Sequence, residues 1–187
     1  MVSTGFRRFS RSLCTAAFLG AWGLVALAFM GSTAHAGIRL IEAGIVCPRP
    51  TEGELVQAPG TEAGVIRKIK GSLFFDLNGR TVPTLDELSF GFRTGLKPGT
   101  PPQDVTIVVT HPPMGPRGIE REEWSDVLMP GVNNLNLFTF EHDYEKVPGD
   151  WTFAIEVDGQ PVVSVAFQVT DTGGDGSVEE TCFQFLS

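Results

Sequence analysis

The sequence predicts an all-β protein, a sandwich of about seven or eight antiparallel strands. Three observations predict it. Apolar and polar residues alternate with a period of two around Phe90, Val105, Trp151 and Val163. Turn dipeptides such as Asn78-Gly79, Pro130-Gly131 and Asp158-Gly159 separate these segments. No stretch beyond residue 36 carries a sustained helical period, and Thr84 to Leu88, the best candidate, is too short to rank. A barrel is the main structural rival.

Residues 1–36 read as a secretory signal. Arg7, Arg8 and Arg11 form a basic start, Leu13 to Met30 is an apolar run of 18 residues, and Ala34-His35-Ala36 has the small-x-small form of a cleavage site. The expected cleavage follows Ala36. The alternative is a retained anchor, since 18 apolar residues are just long enough to span a bilayer. Phe9-Ser10-Arg11 does not continue a twin-arginine signal, and no lipobox precedes Cys14, so general secretion is expected.

The expected mature chain, residues 37–187, suits one domain. Removing three arginines leaves 11 Lys and Arg against 22 Asp and Glu, a net charge of −11. Such a field repels nucleic acid and anionic membrane surfaces, so neither is an expected partner. Cys47 and Cys182 remain. An even count in an oxidising compartment favours a disulfide between them, with two free buried thiols as the alternative. Closing so long a loop is worth about 5 kcal/mol in the chain-entropy model.

Along the chain, Ile38 to Cys47 is a strand rich in Ile and Val, and Pro48 to Ala63 is a proline-broken loop. Gly64 to Lys70 is a short strand with a cationic face, and Ser72 to Leu77 a short apolar one. Leu88, Phe90 and Phe92 alternate with polar or small residues, as do Val105, Ile107 and Val109. His111 to Gly118 holds three prolines and two glycines and reads as a rigid, irregular loop. Glu120 to Leu128 and Leu135 to Glu141 are further strands. Trp151 to Val157 and Val163 to Val169 form a hairpin about Asp158-Gly159. A short last strand is expected around Cys182, Phe183 and Phe185.

From Glu123-Trp124 to Val169 the chain carries Pro130-Gly131-x-Asn133, Phe138-x-Phe140, Val147-Pro148-Gly149-x-Trp151-x-Phe153, Asp158-Gly159 and Phe167-x-Val169. With Gly44-Ile45-Val46-Cys47, these resemble an uncharacterised bacterial family of exported single-domain proteins, a domain of unknown function. The resemblance implies an immunoglobulin-like fold and a cell-envelope location, periplasmic or secreted. It implies no activity and no catalytic residue.

Candidate chemistry is sparse. There is no Gly-x-Ser-x-Gly elbow, and beyond residue 36 the histidines are His111 and His142. No catalytic residue and no cofactor is expected. His111 and Met114 have ligand types that copper(I) accepts, but one His and one Met rarely suffice, and a stiff surface loop in which they have no joint role is the better explanation. Asp171 and Asp175, with Glu179, fall at first, fifth and ninth places of a calcium-type loop whose third and twelfth places are Gly173 and Cys182. Glu120, Glu122, Glu123 and Asp126 read as a solvated face. Trp124 beside them is core or a carbohydrate platform. The expectation is therefore a non-enzymatic binding module with an envelope partner, contacting it through His111 to Gly118 or through a sheet edge. The alternative is a copper- or calcium-handling accessory protein.

Overall fold

The computed structural model describes residues 37–70, 72–171 and 176–186, so the expected signal lies outside the described residues. In chain order these form β1 (Ile38–Val46), β2 (Gly53–Gln57), β3 (Val65–Ile69), β4 (Thr81–Pro83), β5 (Ser89–Leu96), β6 (Gln103–Met114), β7 (Ile119–Leu128) and β8 (Asn133–Thr139). A 3-10 turn (Asp143–Glu145), β9 (Gly149–Val157), β10 (Gln160–Thr170) and α1 (Ser177–Leu186) complete them.

Two sheets make the expected sandwich. One has the order β1-β5-β8 and the other β4-β10-β9-β6-β7, while β2 and β3 pair only with each other. Every pairing is antiparallel except β4 with β10. The periodic segments are the ones that fill the core. Phe90 and Phe92 of β5 face Trp151, Phe153 and Ile155 of β9 and Phe167 of β10, all buried. The Phe90 ring lies 5.3–5.5 Å from those of Phe140, Trp151, Phe153 and Phe167. Each such ring contributes about 2–3 kcal/mol by leaving water. The expected hairpin turn has Asp158 at φ 51° and Gly159 at φ 73°, the left-handed pair that a two-residue turn between twisted strands requires.

Four expectations are corrected. The segment around Cys182 is helix, not strand. Val178 and Cys182, four residues apart, share the buried side, Phe183 is exposed, and Glu179 and Glu180 suit the positive end of the helix. Second, the loop from Pro48 to Ala63 contains β2, whose five residues are all at least partly exposed and so leave no core period to read. Third, Ser72 to Leu77 is no strand and meets β1 at an isolated bridge from Leu77 to Ile45, with the Asp76 N–H also donating to the Ile45 carbonyl, whereas the unanticipated three-residue β4 ends on Pro83. Fourth, the first half of His111 to Gly118 is strand, and only Gly115 to Gly118 is turn. β6 runs on to Met114, and Pro112 and Pro113 fall where the β6–β7 register shifts, so their missing N–H groups interrupt no regular pairing.

Cys47 and Cys182 are bonded, with Cα atoms 5.2 Å apart and a sequence separation of 135. The bond fastens α1 to the end of β1.

Candidate functional site

The residues singled out for metal chemistry do not converge. His111 is buried, its ring 4.6 Å from that of Trp151, with Nδ1–H donating to the Pro112 carbonyl at 2.8 Å. Burial lowers its pKa. Met114 is a core residue. Asp171 is exposed, Asp175 lies outside the described residues, and Glu179 sits in the first turn of α1. Among the described residues no three His, Cys, Asp or Glu side chains are grouped to hold a metal ion.

A sizeable recess lies elsewhere. The outer edges of the sandwich on one side are β7 and β8, the last strands of their sheets. Between them, and bordered by the β2–β3 hairpin, lies a cleft of about 1130 Å³. On β7 the inward-facing positions include Glu122, Trp124 and Asp126, all lining it. On β8, Asn134, Asn136 and Phe138 share the parity of the core residues Phe92 and Phe90 across the ladder, and also line it. Asn136 is 6 % exposed, and its Nδ2 has no hydrogen-bond partner.

The far wall is made by the turn after β8. The Glu145 carboxylate accepts the His142 N–H at 2.7 Å, and the His142 and Tyr144 rings stack 5.1 Å apart. The hairpin is held down by a second carboxylate contact, in which the Glu62 N–H donates to Glu122 Oε1 at 2.7 Å. The Glu62 side chain, 4 % exposed, in turn accepts from Arg117 Nε at 3.0 Å. Burial pushes the Glu122 and Glu145 carboxyls above the ordinary range, and their mutual repulsion adds to the shift at Glu122. Tyr144 is shifted upward by burial and by the same carboxylates.

The solvated face expected for the acidic run thus holds for Glu120 and Glu123 and fails for Glu122, which is 5 % exposed. Trp124 is half-buried, packing against the core from the cleft side. The signal that would have found Glu122 is its parity with Leu128, and for Asn136 its parity with Phe138 and Phe140. A polar residue at a core position is the informative exception in a half-buried strand.

Residues 35–169 match the family described as Domain of unknown function (DUF3859). No curated protein matches the sequence. Among solved structures, an immunoglobulin-like protein from Pseudomonas aeruginosa is similar at 19% identity and a TM-score of 0.45, over 73% of this chain and 99% of that one.

Proposed function

The chain belongs to the DUF3859 family, a domain of unknown function, and from that premise we propose that it is a non-enzymatic binding module of the bacterial cell envelope whose ligand occupies the cleft between β7 and β8. The observation that carries this is buried Asn136, which lines a cleft of about 1130 Å³ and whose Nδ2 has no hydrogen-bond partner among the described residues. A buried donor left unpaired costs on the order of 1–3 kcal/mol, and a bound acceptor would recover it. Recesses of this kind, partly apolar with a few fixed polar groups, are the common form of a binding site. The Cys47–Cys182 bond supports an oxidising compartment, periplasmic or extracellular.

The test is amide chemical-shift mapping of the purified protein against a panel of short peptides, oligosaccharides and lipid headgroups. Binding in the cleft moves the resonances of residues 122–126 and 133–139. Shifts confined to the Gly115–Gly118 turn, or none with any class of probe, would sink the proposal.

A further inference from the structure

We infer that the cleft is a vacant strand position and that its ligand is an extended, cationic polypeptide segment. This rests on the binding reading above and names the ligand class.

The lining pattern carries the argument. A pocket on the face of a sheet is lined by alternate residues, because neighbouring side chains point to opposite sides. Here Val65 to Ile69 of β3 and Asn133 to Thr139 of β8 line the cleft as unbroken runs. The cleft therefore follows the backbone edges of both strands. Among the described residues both edges are unpaired, since β8 ends its sheet and β3 pairs with β2 alone. A side-chain pair, Arg67 with Glu141 at 3.4 Å, links the two at one end. Such edges offer rows of N–H and C=O groups to an incoming strand. The seven residues of β8 span roughly 23 Å at about 3.3 Å per residue, the length of a seven-residue segment.

Charge selects the occupant. Six carboxylates and three cationic side chains line the cleft. Arg67 is paired with Glu141 and Arg93 with Glu42, which leaves Glu122, Asp126 and Glu145 as an acidic surplus over the one remaining lining cation, Lys68. The other side of β8 is apolar. Leu135 and Leu137 share the outer face with Arg93, whose guanidinium donates to the Leu73 carbonyl, and the neighbouring Phe74 is 71 % exposed. A strand inserted here sends alternate side chains to an acidic wall and to an apolar one. Its sequence is therefore Lys or Arg alternating with apolar residues. A second copy of this chain is a poor occupant, because its net charge is negative.

Three octapeptides test this by fluorescence anisotropy and amide exchange: alternating Lys-Val, alternating Glu-Val, and a block of four Lys followed by four Val. The alternating cationic peptide is expected to bind at least tenfold tighter than the other two and to slow exchange at residues 133–139. Asp126→Lys, with unchanged circular dichroism, should weaken it at least tenfold. Equal binding of the Lys and Glu peptides, or binding without protection of β8, overturns the inference. So does concentration-dependent dimerisation that competes with the peptide. If a saccharide or lipid headgroup shifts the cleft resonances while no peptide does, the strand inference fails and the binding proposal stands. If no probe shifts them, both fail.

Discussion

The Glu62 backbone N–H donates to the Glu122 carboxylate at 2.7 Å, across sixty residues of sequence, and so fastens the turn between β2 and β3 to the edge strand β7. The acceptor is a carboxylate that burial makes reluctant to ionise. A carboxyl whose folded pKa stands above its unfolded value binds its proton more tightly in the folded state. Its stabilisation is fully present below the unfolded value, near 4.5, and is lost as pH rises through the folded value.

Glu122→Gln keeps the acceptor oxygen and removes the buried charge. We expect its midpoint of thermal unfolding to exceed that of the parent by about 2–4 °C at pH 7–8, the size of a 1 kcal/mol gain in a domain of this length. The difference should vanish near pH 4, where the parent carboxyl is protonated. Paired melts across that range check it. A gain that persists at pH 4, or a loss at pH 7, would show that the carboxylate is stabilising as an anion.

Arg117 holds the other side of the same turn. Its Nε donates to Glu62 Oε2 at 3.0 Å, its backbone N–H to Oε1 at 3.1 Å, and its guanidinium also to the Thr61 carbonyl. Arg117→Ala leaves the buried Glu62 carboxylate with the backbone contact alone. Loss of a charge-assisted pair of this kind costs about 1–3 kcal/mol. The effect should be local. Amides of residues 53–69 should exchange faster while those of the β9–β10 hairpin keep their protection, because no part of that hairpin touches Arg117 in the hydrogen-bond pattern.

The sequence made legible those elements in which one rule acts alone. Trp151 to Val157 and Val163 to Val169 alternate strictly about Asp158-Gly159, and both strands are found, although the turn and the period set registers one residue apart and a shift between Pro161 and Val163 reconciles them. Where two rules compete, the reading failed. Cys182-Phe183-x-Phe185 alternates like a strand, yet the buried side is set by Val178 and Cys182 at helical spacing. His111-Pro112-Pro113-Met114 has loop composition, but burial of His111 against Trp151 and of Met114 in the core holds it as a bulged strand. The cleft was legible only as parity. Glu122 and Asn136 stand at inward positions, but nothing local says that the hairpin between residues 53 and 69 crosses beside them.

The Cys47–Cys182 bond carries a different load from the core. Closing 135 residues restricts the unfolded chain, and removing a native disulfide from a small domain typically costs about 2–5 kcal/mol. The described buried side chains of α1 are Val178 and Cys182. Cys182→Ala, or reduction, should therefore release α1 first. The expected record is loss of amide protection in residues 177–186 at low denaturant, ahead of global unfolding, with a lowered midpoint. A helix that stays protected until global unfolding would place its attachment in packing instead.

Gly91 joins the stability of the fold to the shape of the cleft. A Cβ at this position would stand 2.1 Å from the Asn136 carbonyl oxygen, a contact with backbone that no rotamer relieves. The pairing of β5 with β8 can be this close only because residue 91 lacks a side chain. Gly91→Ala must push β8 outward, into the recess that its free edge borders. We expect a loss of at least about 2 kcal/mol, in the range of overpacked sites. The displaced strand should also carry Asn136 with it, so resonances of residues 133–139 should move further than those of β9. If Gly91→Ala melts like the parent and leaves β8 unshifted, the close approach is not what places that edge, and the wall of the cleft is set from the β7 side.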